Sequence, residues 1–216
     1  GGVPLTVFEL LTATFAADDF ELRKDWEQRR HGPRTGGCLD ESPVLKDFDS
    51  TDFLTAITLL TSYTDHKAGS SKSVSCKRKD VLDLKLHDYR KYSDSISEGL
   101  VRAARFLSRE KVFDSRDLPY KTQLIPLSVI CAVLGDRFES DPIHRKLARW
   151  YWSGVFGELY GGANETRYAL DVPDVLDWIA GGNEPRTVSA ASFSPTRLVT
   201  LQSRLSAAYK GLMAKL

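Results

Sequence analysis

The chain has 216 residues, enough for one domain or two tightly packed ones with a substantial core. Hydrophobic residues make up 42% and charged residues 27%, the ordinary balance of a globular protein. Thirty Lys and Arg against 29 Asp and Glu leave a net charge of +1, so bulk charge selects neither nucleic acid nor an acidic membrane surface as a partner.

Helical spacing dominates from the start. Leu5, Phe8, Leu11 and Phe15 recur at three and four residues and predict an opening helix, with Pro4 in its first turn. A second short helix fits Asp19 to Gln28, anchored by Phe20, Leu22 and Trp26. Between His31 and Asp49, Gly32, Pro33, Gly36, Gly37 and Pro43 predict a long loop. Ser50 or Thr51 is the expected cap of a helix whose apolar face is Phe53, Ile57 and Leu60.

Residues 68–75 are small and polar and read as another loop. Val81, Leu82, Leu84 and Leu86 alternate briefly, which fits one strand or a short helix. Ile96, Leu100, Ala103 and Leu107 mark a long helix. After a loop at 114–119, a possible subdivision point, QLIPLSVICAVLG is apolar on almost every side; it predicts a buried central helix ended by Gly135.

Pro142 opens the next helix, with Ile143, Leu147, Trp150, Tyr151, Val155 and Phe156 turned inward. Residues 167–180 read as two short helices broken at Pro173. Residues 187–216 read as a linker and a terminal helix, started by Ser194 and Pro195 and carrying Leu198, Leu201, Leu205, Ala208 and Leu212. The fold class is all-α, a multi-helix bundle with long loops and at most one short strand.

Tests for chemistry return little. There is no GxxxxGK[ST] loop, no GxGxxG and no GxSxG elbow. His31, His66, His87 and His144 are isolated, none at the spacing of four that places two rings on one metal, and each reads as a surface or hydrogen-bonded residue. Cys38, Cys76 and Cys131 are odd in number and lack any CxxC, which points to a reducing, cytoplasmic setting rather than a disulfide framework. The longest apolar run, Leu124 to Leu134, is too short to span a bilayer, and no signal peptide is expected. Asp83, Leu84 and Lys85 form a D-x-K triplet, with Asp65 upstream. Metal-dependent nucleases place such a pair on a strand, but the triplet is common by chance and a solvated helix entry is the favoured reading.

Two basic clusters remain. Lys67, Lys72, Lys77, Arg78 and Lys79 fall within thirteen residues that contain no acid, and small mobile neighbours would let them follow a phosphate backbone. In residues 187–216, which hold no carboxylate, Arg197, Arg204 and Lys215 fall within about 20° of one another on a helix turning about 100° per residue. A solvated face is the commoner reading for either cluster. Lys72, Lys77, Arg78, Lys79, Arg197, Arg204 and Lys215 are thus the candidate nucleic-acid contacts, and no catalytic residue or metal ligand is assigned.

Five blocks, taken in order, resemble one family. GGVPLTVFELLTATFA resembles the segment after the N-terminal DGQQR domain of GmrSD-type restriction endonucleases. VSCKRKDVLDL, LPYKTQLIPLSVICAVLG and KLARWYWSGVFGELY resemble the helical region of the same proteins, and SRLSAAYKGLMAKL the helix leading into their C-terminal HNH domain. The resemblance implies a modular phage-defence enzyme, with nucleotide use in the DGQQR domain and cutting of modified DNA in the HNH domain. Neither signature occurs here, so no catalytic residue carries over. A start on Gly1 rather than Met fits the same picture. The expectation is one non-catalytic helical scaffold domain over residues 1–216, cut from a longer protein and holding no cofactor. Its partners would be the DGQQR and HNH domains and, by extension, DNA. A DNA-binding module built on loop 67–79 and a compact nuclease built on Asp83 and Lys85 are the rival expectations.

Overall fold

In the computed structural model, the described residues are 5–32, 38–162 and 164–191, with Ala207, Lys210, Gly211 and Ala214. Among them are nine α-helices and no strand: α1 (Val7–Ala16), α2 (Leu22–His31), α3 (Ser50–Lys67), α4 (Arg78–Leu82), α5 (Leu86–Arg109), α6 (Leu124–Leu134), α7 (Asp141–Phe156), α8 (Glu165–Ile179) and α9 (Arg186–Ala190). The class is all-α. The expected terminal helix starting at Ser194 and Pro195 falls mainly outside the described residues.

Helix α6 is the centre. Leu127 and Ile130 are wholly buried and Leu134 is nearly so, with α3, α5 and α8 packed around them. Each such side chain contributes about 1.5–3 kcal/mol by leaving water. Gly99 of α5 makes the closest approach possible, because a Cβ there would overlap the Ser128 carbonyl of α6. Gly135 ends α6 with a φ of +56°, a conformation that favours glycine.

Several boundaries differ from the sequence reading. Leu5 is exposed, and α1 begins at Val7, where Thr6 and Glu9 form a reciprocal capping box. Helix α2 runs three residues later than expected because Trp26 and Arg29, not Phe20, set its buried face. Asp49, rather than Ser50 or Thr51, caps α3, accepting from the backbone of Thr51 and Asp52 at 2.9 Å. Residues 38–49 are not an open loop, since two 3-10 turns bury Leu39, Val44 and Leu45. The alternation at Val81–Leu86 is the end of α4 and the start of α5, with Val81 and Leu84 buried on opposite sides of a turn.

Pro173 does not split α8. Proline's fixed φ suits a helix and only one backbone bond is lost. Burial of Tyr168, Val172, Val175 and Leu176 holds the helix together through that gap.

Candidate functional site

The interior carries three charged clusters that local sequence patterns do not reveal. At the first, the Arg29 guanidinium of α2 donates all five N–H groups: to Asp25 at 2.6 and 3.3 Å, Asp94 at 2.8 Å, Ser93 at 2.9 Å and Ser97 at 3.0 Å. The Tyr89 hydroxyl also donates to Asp25. Burial opposes the Arg29 charge, but the hydrogen bonds to Asp25 and Asp94 and the charges of Tyr89 and Asp25 together outweigh it and raise its pKa. This joint locks α2 onto α5.

The second joint lies at the far end of α5, about 24 Å along the helix axis from Asp94. There the buried Glu110 carboxylate faces His144 Nε2 at 2.8 Å and accepts from Trp152 Nε1 at 2.6 Å, tying α5 to α7. Lys111, with a φ of +68°, turns the chain away immediately after it.

The third joint is Asp171 of α8, fully buried. It accepts from Trp150 Nε1 of α7 at 3.0 Å, from the Tyr160 hydroxyl, and from Thr187 of α9. Burial raises the Asp171 pKa; donation from Thr187, Tyr160 and Trp150 offsets only part of that.

The cations of the basic segment are exposed, and its residues 75–77 are hydrogen-bonded to neighbouring elements. The Ser75 N–H donates to Ser62 Oγ at 2.9 Å, and Asp80, directly after the acid-free run, accepts from the Ser75 hydroxyl and from the Lys77 N–H. The Cys76 thiol donates to the Glu165 carbonyl of α8 at 3.8 Å, and burial, then the charges of Glu165 and Asp80, push its pKa up to about 12. Lys77 precedes α4, while Arg78 and Lys79 occupy its first turn. Lys72, Lys77, Arg78 and Lys79 are exposed and form no ion pair among the described residues. Arg197, Arg204 and Lys215 lie outside the described residues.

Between this segment and α8 lies a cleft of about 500 Å³. Lys72 and Lys77 line one wall, Glu165 and Asp174 the other, with Arg186 of α9 at the edge. Of the basic run, then, only Lys72 and Lys77 reach the cleft. Glu165, Asp174 and Arg186 were missed because they belong to the site only through the packing of α8 and α9; nothing near them in sequence marks them.

Asp83 ends α4 and Lys85 precedes α5, both exposed. The strand that a D-x-K metal site requires is absent among the described residues, since both positions belong to a turn between helices. No group of three or more His, Cys, Asp or Glu side chains among those residues is placed to hold a metal ion. All four histidines have polar partners: His31 faces Asp40, His66 faces the Ser71 carbonyl, His87 faces Asp88 and His144 faces Glu110. None of the described helices is long and apolar enough to cross a membrane.

No protein-family model matches the chain, and no solved structure matches it. An uncharacterized protein of Methanocaldococcus jannaschii is similar to it, 24% identical over 233 aligned residues that cover 98% of this chain and 35% of the relative. The chain therefore spans about a third of that relative's length.

Proposed function

We propose that the chain is a non-catalytic coupling segment of a modification-dependent DNA restriction enzyme of the GmrSD type, placed between a DGQQR domain and an HNH domain. The observation that carries this reading is the series of buried polar joints. Arg29 fastens α2 to α5, Glu110 fastens α5 to α7, and Asp171 fastens α7 to α8 and α9. A body fastened from end to end by directional bonds moves as a unit, which is what holding two active domains in register requires. Alignment of nearly the whole chain with a third of a longer protein accords with a segment of this kind.

The coding sequence on either side of this segment tests the proposal. A DGQQR motif upstream and an HNH signature downstream support it, and a gene lacking both removes it. A second measurement addresses the rival nuclease: the purified chain, given magnesium or manganese and plasmid DNA, is expected to leave the DNA intact. Nicking that disappears in Asp83→Ala would establish the compact nuclease instead.

A second reading, that this segment also touches nucleic acid, is favoured by the four exposed cations at 72–79, which form no ion pair among the described residues. Its rival is that these side chains dock onto acidic surface of the flanking domains.

A further inference from the structure

We propose that the cleft between residues 72–77 and α8 binds a nucleoside phosphate, either free or as one unit of a single nucleic-acid strand. The cleft's volume, about 500 Å³, falls within the range of small-ligand sites. Three cations converge on it from separate parts of the chain. Lys72 and Lys77 hold exposed ammonium groups without ion-pair partners among the described residues, and Arg186 adds a guanidinium. Arg186 meets Asp174 at only 3.4 Å and its side chain is 69% exposed, so a phosphate oxygen can replace that carboxylate at little cost.

The rest of the cleft argues for a nucleotide rather than a bare polyanion. Glu165 and Asp174 lie within it, and two carboxylates beside three cations repel a ligand that is anionic wherever it touches the cleft, as an inorganic polyphosphate would be. They suit a ligand with one anionic end and one end that donates hydrogen bonds, as the exocyclic amine of a base does to a carboxylate. Val74, Ala169, Leu170 and Pro173 supply the apolar surface on which a flat ring can lie.

The cleft wall is also set in advance. Bonds from Ser75, Cys76 and Lys77 to Ser62, Glu165 and Asp80 fix the segment between the two lysines, so little ordering remains to be done on binding. This inference stands apart from the coupling role: it is measured on the chain itself, whereas that role is decided by the flanking coding sequence.

The experiment is a low-salt titration of the chain with a fluorescent single-stranded octanucleotide, followed by competition with cytidine and adenosine monophosphates. Lys72→Ala, Lys77→Ala and Arg186→Gln are each expected to weaken binding about tenfold, while Arg78→Ala and Lys79→Ala weaken it less than about twofold. All five positions are exposed, so melting temperatures should match the parent. Displacement of the strand by the monophosphates identifies a free nucleotide as a ligand; tight strand binding without displacement identifies the strand unit. Two results overturn the proposal. One is loss of affinity in Arg78→Ala and Lys79→Ala with none in Arg186→Gln, which assigns binding to the exposed run. The other is no binding of either probe at low salt.

Discussion

Leu127 and Ile130 of helix α6 are buried to the same degree as Asp171, yet the helix and the Asp171 joint hold the molecule by opposite means. In α6 the bond is the removal of apolar surface from water, which is strong, additive and indifferent to direction. At Asp171 a carboxylate is kept from water and compensated by three neutral donors from α7, the segment after it, and α9. Burial of that charge is costly, so the joint adds less to stability than to the uniqueness of the arrangement. The core supplies the stability of the bundle, and the polar joints set how its helices are fastened to one another.

The largest expected effect breaks the apolar side of this comparison. Ile130→Asp places an unpaired carboxylate at a wholly buried point against α3, α5 and α8. The variant should fail to give a cooperative melt by circular dichroism. A melt like the parent's would mean that α6 is not the centre.

The polar side breaks next. Asp171→Ala leaves the Trp150, Tyr160 and Thr187 donors without their acceptor and should cost about 3–5 kcal/mol in urea unfolding. Asp171→Asn keeps an acceptor and should cost much less. The pH dependence follows from the raised folded pKa. Between the ordinary aspartate value and that raised value, the folded state holds a proton that the unfolded state has released. Stability is therefore lost as pH rises through this window. Asp52, also raised by burial and by Asp49, acts in the same direction. Asp171→Asn should flatten the slope over the same window, and an unchanged slope would show that Asp171 does not titrate there.

A smaller effect sharpens the comparison at the other end of the molecule. Arg29→Lys keeps the charge but replaces five fixed donors with three. It should cost about 2–3 kcal/mol in the same unfolding assay. A cost near zero would mean that charge alone, and not the planar fork, holds α2 on α5.

The same contrast explains what the sequence made legible. Apolar burial leaves a trace in the chain, all-round apolarity in α6 and a three-four period in the Ile96–Leu107 seam, so both helices and the all-α class could be read directly. Pro173 misled because the breaking tendency of proline is local, while the packing that overrides it comes from α6 and α7. Beyond the Asp25–Arg29 pair four residues apart, the polar joints leave no trace: Arg29 finds its partners on α5 between 64 and 68 residues away, and Glu110 finds His144 34 residues on. Half of the cleft was visible as an acid-free run of lysines, but its opposite wall is brought there only by folding. The bonds that hold the middle of that run were not legible for a related reason, since Ser62 and Glu165 lie outside the run on α3 and α8.

Native-state hydrogen exchange tests the central claim, that the joints make the helices one mechanical unit, most directly. The account predicts that the slowest amides of α2, α5, α7 and α8 exchange with a common opening free energy equal to that of global unfolding, and that Asp171→Asn lowers all four together. If α7 and α8 open at a lower free energy than α2 and α5, or if the variant loosens them alone, the chain is two units and the account is contradicted.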